Sequence, residues 1–286
     1  MRSARVALLG AFLALVGVSC STGDGEEPAQ SPRATETPTV EASGPPPKVA
    51  ARLLPDLRQE PPTGLVLTHP GRRYRIGFDS AATNVGGGPL TIVGSRPGRG
   101  TATMDAGQII PLEGGGRRRR GSVGVLRYVT SPDHSHWHLV PFMNYALRRA
   151  ANLERVGRDR KTGFCLGDRY DAGIALPKKP SDKVYRTRCG LHNRGLLRIV
   201  EGISVGYGDD YAANLEGQFV DITGVPAGRY YLVHEVNADR RLRERRYANN
   251  VSWLLLRLSW SRGAPRVAVL ERCDPGATRS GCALTG

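Results

Sequence analysis

Histidine recurs at alternate positions in Asp133-His134-Ser135-His136-Trp137-His138, which holds three of the six histidines in a chain of 286 residues. On an extended strand successive side chains point to opposite faces, so His134, His136 and His138 project together while Ser135 and Trp137 face away. Three imidazoles on one face make the donor set of a metal centre. Neutral nitrogen ligands suit copper or zinc, whereas calcium and magnesium ask for oxygen. The outer two Cα atoms of a straight strand stand about 13 Å apart, so a single ion collects all three rings only if the strand bends. Pro132 and Pro141 bracket the motif and are placed to bend it. A lone histidine is more often a satisfied polar residue than a ligand, but three in alternation point to metal.

The elements that would carry such a strand are short apolar runs rich in Val, Ile, Leu and Tyr, at 74–78, 90–93, 123–129, 218–222, 229–236, 251–260 and 266–270. Turn sequences separate them, among them Gly86-Gly87-Gly88-Pro89, Gly224-Val225-Pro226-Ala227-Gly228 and Ala248-Asn249-Asn250. Short strands between frequent turns predict an all-β, antiparallel β-sandwich with long loops. Residues 51–286 suffice for one such domain. Helical periodicity is weak; 143–155 is the one segment that could be a helix, and its Tyr145, Leu147 and Leu153 would serve equally on a strand.

Residues 1–20 read as an export signal, with Arg2 and Arg5 before an apolar stretch too short to span a bilayer as a stop-transfer helix. Cys20 follows Ser19 as the lipidated cysteine follows a small residue in bacterial lipoproteins, so a lipid anchor is expected there; Gly17 stands where an aliphatic residue is usual, and plain secretion is the alternative. Residues 21–50, rich in Ser, Thr, Pro, Glu and Gly, read as a disordered tether between anchor and domain. Cysteine usage agrees with export. Cys165, Cys189, Cys273 and Cys282 are an even set; pairing 165 with 189 and 273 with 282 closes the shortest loops, and three pairings are formally open. The formal net charge is +15, and the domain carries all of it and slightly more, because the acids of the tether outweigh the two arginines of the leader. Such a domain would be drawn to acidic cell-envelope polymers or anionic headgroups. Arg117 to Arg120 read as a solvated loop, and no nucleic-acid recognition motif accompanies the charge.

Further motifs follow the histidines in order: Lys161-Thr162-Gly163-Phe164-Cys165-Leu166-Gly167-Asp168, then Gly202-Ile203-Ser204-Val205-Gly206-Tyr207-Gly208-Asp209-Asp210-Tyr211, Asp221-Ile222-Thr223, Pro226-Ala227-Gly228-Arg229-Tyr230 and Glu244-Arg245-Arg246-Tyr247-Ala248-Asn249-Asn250. Taken after an HxHxH strand, this ordered set resembles the catalytic domain of the lysyl oxidases over residues 128–253, with a fainter echo at Leu54-Pro55-Asp56-Leu57. The resemblance implies copper at His134, His136 and His138. It also implies a lysine tyrosylquinone cofactor built from Lys161 and Tyr211, which would deaminate primary amines, peptidyl lysine or small amines, to aldehydes with dioxygen as oxidant. A free lysine titrates at about 10.4, so Lys161 must lose its proton to attack the ring; Arg158 and Arg160 push in that direction. The resemblance further implies calcium held by Asp56, Glu244, Asn249 and Asn250, oxygen donors that suit that ion.

Departures accompany the likeness. Asp133 stands where animal members carry a cysteine, Asn144 where they carry a further histidine, and Tyr207 and Gly217 where they bridge the quinone tyrosine; Arg246 replaces an acidic residue at the calcium motif. Residues around Lys178, Lys179 and Lys183 lengthen the segment before Tyr211, and Asp209 and Asp210 are candidates for the proton-abstracting base. The G-x-S-x-G at 202–206 lacks the strand–turn–helix setting of a hydrolase nucleophile. The rival expectation is a non-catalytic copper- or zinc-binding sandwich tethered to the cell surface.

Overall fold

Apolar residues at alternate positions build the strands. In Gly228–Val236 the side chains of Tyr230, Leu232, His234 and Val236 are buried while their neighbours reach solvent, and in Val251–Ser261 the same holds for Ser252, Leu254, Leu256 and Leu258. The computed structural model describes residues 47–131, 135–157, 160–186, 188–215, 217–278 and 281–284, with Lys161 described by its backbone alone. The expected signal, Cys20 and most of the tether lie outside these residues, as do Pro132, Asp133, His134 and Arg158.

Two antiparallel sheets result, as the sequence predicts. The larger runs β10 (Arg198–Ile203), β4 (Leu90–Ser95), β5 (Thr103–Pro111), β6 (Arg117–Thr130), β7 (Ser135–Arg149), β13 (Gly228–Val236), β14 (Val251–Ser261) and β15 (Ala264–Cys273), with β8 (Arg160–Phe164) paired to β7. The smaller is organised on β3 (Arg75–Asn84), which pairs with β1 (Leu57–Gln59), β2 (Thr63–Thr68), β11 (Tyr207–Tyr211) and β12 (Phe219–Asp221); β9 (Tyr170–Asp171) adds to β11. Among the described residues the helical content is one 3₁₀ turn, Ala51–Leu53.

The core lies between the sheets. Phe78 of β3 meets Tyr145 of β7 edge-on at 4.7 Å and His234 of β13 at 4.3 Å. Ser80 Oγ lies 3.1 Å from His234 Nδ1, and Tyr145 donates its hydroxyl to Gln218 Oε1 at 2.8 Å. His234 is therefore a core histidine; burial holds its pKa well below the ordinary value, and it is neutral.

Two local expectations are corrected. Residues 143–149 belong to β7 and not to a helix, because Met143, Tyr145 and Leu147 are claimed by pairing with β13 on one side and β8 on the other. The strand ends in a turn where Leu153 takes a φ of 57°. Arg117 to Arg120 form the exposed first rungs of β6, paired with Pro111 to Gln108 of β5, and are strand where a loop was expected. Both disulfides pair as read, Cys165 with Cys189 and Cys273 with Cys282, with Cα separations of 5.6 and 5.7 Å. Two such bridges fit an extracytoplasmic protein.

Candidate metal and cofactor site

β7 opens the site. His136 and His138 are its second and fourth residues, paired across to Val129 and Arg127 of β6, while Trp137 between them turns into the core. The Trp137 amide donates to Cys189 O at 2.9 Å, which ties the histidine strand to the disulfide. Alternate Cα atoms on a strand lie about 6.6 Å apart, yet the rings of His136 and His138 approach to 4.8 Å between centroids. The imidazoles converge, which is what a shared ion requires. With all four described cysteines bridged, no thiolate competes, and the donor set fits copper or zinc. Among the described residues no group of three or more His, Cys, Asp or Glu side chains is gathered for a metal; the third expected ligand, His134, lies outside them.

Tyr211 reaches the histidines from the opposite sheet. It closes β11, paired with Ser80 of β3, and its ring stacks on Phe164 at 3.8 Å between centroids. Its hydroxyl accepts the Cys165 amide at 2.6 Å and stands 3.5 Å from His138 Nε2. Burial first, then the charge of Asp209, pushes the phenol well above its ordinary pKa, so the ring is held protonated. β8 delivers both Phe164 and the Cys165 amide. It lies so close to β7 that a Cβ on Gly163 would stand 2.5 Å from Val140 Cγ2 and 2.8 Å from Leu139 O, so glycine is required there. The register between β7 and β8 shifts between Leu139 and Met143, around Pro141, and Lys161 then falls opposite Asn144.

Beneath Tyr211 lies a feature the sequence hid. Asp209 shares the inward face of β11 with Tyr211 and is fully buried; Glu201 of β10 is likewise fully buried. Burial raises both carboxyls well above the usual range, Asp209 adds its charge to Glu201, and Arg169, 3.4 Å from Asp209 Oδ1, pulls Asp209 partly back. Asp210 is exposed on the other face. Spacing alone could have paired Asp209 with Tyr211, but nothing local marks Glu201.

Ser204 of the G-x-S-x-G segment donates its hydroxyl to Asp168 Oδ2 at 2.7 Å, and Asp168 also accepts the amides of Ser204, Val184 and Tyr185. That serine braces a loop. Tyr207 points its hydroxyl toward Pro180 O, Gly217 takes a φ of 90° against Thr162, and Lys179 pairs with Asp171 while Lys183 donates to Arg169 O.

The expected calcium residues do come together. Asp56 accepts Asn249 Nδ2 at 2.7 Å, and Glu244 accepts Leu57 N at 2.6 Å, Asn237 Nδ2 at 2.6 Å and Asn250 Nδ2 at 2.8 Å. Arg246 Nε, however, sits 2.9 Å from Asp56 Oδ2, supplying the positive charge itself. Burial lifts Glu244 to about 8. The amide oxygens of Asn249 and Asn250 are buried without hydrogen bonds, the one feature a cation would satisfy. Calcium takes six to eight oxygens from carboxylates, amide and backbone carbonyls and water; the four residues offer oxygens of these kinds, and Arg246 stands against one of them.

A sequence profile described as lysyl oxidase matches residues 127–262, from β6 through β14. Protein-lysine 6-oxidase of Rattus norvegicus is 35% identical over 122 residues, 41% of this chain and 25% of the relative; that of Sus scrofa is 34% identical over 122 residues, 41% of this chain and 42% of the relative. Lysyl oxidase homolog 1 of Homo sapiens is 33% identical over 120 residues, 41% of this chain and 18% of the relative. The matches span less than half the length of these relatives. Fold and site define an antiparallel sandwich with a histidine and tyrosine centre between its sheets. By the profile and these relatives, residues 127–262 are similar to the lysyl oxidases over somewhat less than half of the chain.

Proposed function

We propose that the domain is a copper-dependent amine oxidase that converts primary amines, peptidyl lysine or small amines, to aldehydes. One amine, one dioxygen and one water give one aldehyde, one ammonia and one hydrogen peroxide. His134, His136 and His138 would hold the copper, and Lys161 and Tyr211 would supply the lysine tyrosylquinone. That quinone, when present, furnishes the carbonyl chemistry the amine requires. The observation that carries the reading is the 3.5 Å approach of the Tyr211 hydroxyl to His138 Nε2 inside a buried contact. The chain's own residues position the ring: Phe164 covers one face, the Cys165 amide fixes the oxygen, and burial excludes water. The disulfides support a location outside the cytoplasm, where the leader and Cys20 would tether the domain to a membrane.

The test is a peptide-mass map of the purified chain after copper and air. A covalent link between the Lys161 and Tyr211 peptides is the expected result. Separate peptides at full copper loading overturn the oxidase and leave a metal-binding module.

A further inference from the structure

An open cleft of about 1130 Å³ lies where the start of β3, the end of β7 and β12 meet. Six arginines line it, and its one acidic residue, Asp221, is already paired with Arg73 at 3.0 Å. Apart from Arg160, which neighbours Lys161, nothing in the oxidase reading uses this charge. The arrangement at Phe219 is the telling part: the guanidinium carbons of Arg75 and Arg160 stand 3.9 and 4.2 Å from the centroid of the same ring. Two like charges held at one ring repel each other, and an anion between or beside them relieves that cost. Arg160 Nε is tied to Gly217 O at 2.8 Å, so its fork is held in place before any ligand arrives. Arg75 Nε is buried without a hydrogen bond.

The cleft adjoins the candidate site. Phe219 pairs with Gly77 of β3 and Tyr211 with Ser80, three residues along, which is about 10 Å on a strand. Guanidinium forks match carboxylate and phosphate oxygens in pairs. Between these, the walls favour a polypeptide: Val156 and Pro226 stand among the arginines and offer apolar surface that a bare phosphate chain would leave unused. A single-stranded nucleic acid would need open aromatic faces for stacking, and Phe219, the one aromatic ring of the lining, is engaged by the two guanidinium groups.

We propose that this cleft binds an acidic polypeptide segment through its aspartate and glutamate carboxylates. On the oxidase reading, on which this last step rests, the amine then arrives on an acidic chain, since a free diamine would be repelled by the same arginines.

The test reads binding and not turnover, so an inactive oxidase leaves it intact. A fluorescent glutamate-rich decapeptide is titrated into the full chain and followed by anisotropy. Arg75→Gln is expected to weaken binding about tenfold, the worth of one charge-assisted pair. The doubly substituted Arg72→Gln/Arg155→Gln, at exposed positions that leave the core untouched, is expected to do so as well, while Arg257→Gln/Arg266→Gln on β14 and β15 leaves it unchanged. Equal weakening in the last variant shows attraction to net charge alone and overturns the proposal. Displacement of the peptide by polyphosphate at lower charge concentration than by free polyglutamate overturns the choice of polypeptide.

Discussion

The Tyr211 hydroxyl and His138 Nε2 stand 3.5 Å apart although they belong to different sheets. The hydroxyl also accepts the Cys165 amide at 2.6 Å, so Tyr211→Phe removes the partner of a buried N–H. A loss of about 1–3 kcal/mol in unfolding free energy is expected by urea denaturation of the metal-free chain. The Lys161–Tyr211 cross-link should be absent in the same variant while copper content stays at the wild-type level. Loss of copper as well would mean that the phenol is itself needed to hold the metal.

His136 is half-buried and His138 nearly fully buried. Truncating His136 therefore disturbs the core less, and His136→Ala is the cleaner test of the metal centre. Its melting temperature without metal should match wild type within the few degrees that a loss of about 0.5 kcal/mol produces. Its copper content by atomic absorption should fall severalfold. Full copper retention would remove the histidine face from the site.

The histidine face is legible in the sequence because period-two alternation is a local property: on β7, 136 and 138 share a side whatever the rest of the chain does. Strand density and cysteine parity are local in the same sense, and the sandwich and both disulfides follow from them. Register is not local. Tyr211 meets His138 only because β11 pairs with β3 while β8 pairs with β7, and no spacing across a separation of 73 residues encodes that. Glu201 is invisible for the same reason, lying on a strand whose nearest motif looks like a hydrolase elbow. The weak helical pattern at 143–155 misleads because β7 is covered on both faces, burying consecutive residues such as Tyr145, Ala146 and Leu147, which blurs the alternation.

Glu201 and Asp209 set a pH dependence with a definite sign. Both folded-state values are raised, by burial above all, over the value of about 4 that carboxyls show in an unfolded chain. Their contribution to stability is thus whole below pH 4 and is lost as pH rises toward the raised values, by up to about 1.4 kcal/mol per pH unit for each group. The melting temperature of the metal-free chain should fall from pH 5 to pH 8. Glu201→Gln mimics the protonated acid, so its profile should be shallower and its melting temperature at pH 8 higher than wild type. An unchanged slope would mean that other groups govern the profile.

Arg246 bears on the last expectation, calcium at Asp56, Glu244, Asn249 and Asn250. Its guanidinium stands on the fully buried Asp56, although 63% of its own side chain is exposed. A wholly buried pair costs about 3–5 kcal/mol to break, but solvent screens this one from the arginine side, so Arg246→Ala should cost about 1–2 kcal/mol. The melting temperature of the wild-type chain should be indifferent to a chelator or to added calcium, because the cation at Asp56 is already covalently part of the protein. Arg246→Asp reverses the charge and frees Asp56 Oδ2, which joins the amide oxygens of Asn249 and Asn250 as a donor for an ion. Calcium at about 1 mM should then stabilise the variant by about 1–3 kcal/mol if it binds with a dissociation constant of about 10–100 μM. Stabilisation of the wild-type chain by calcium to the same extent would show that the guanidinium moves aside for the ion and does not replace it.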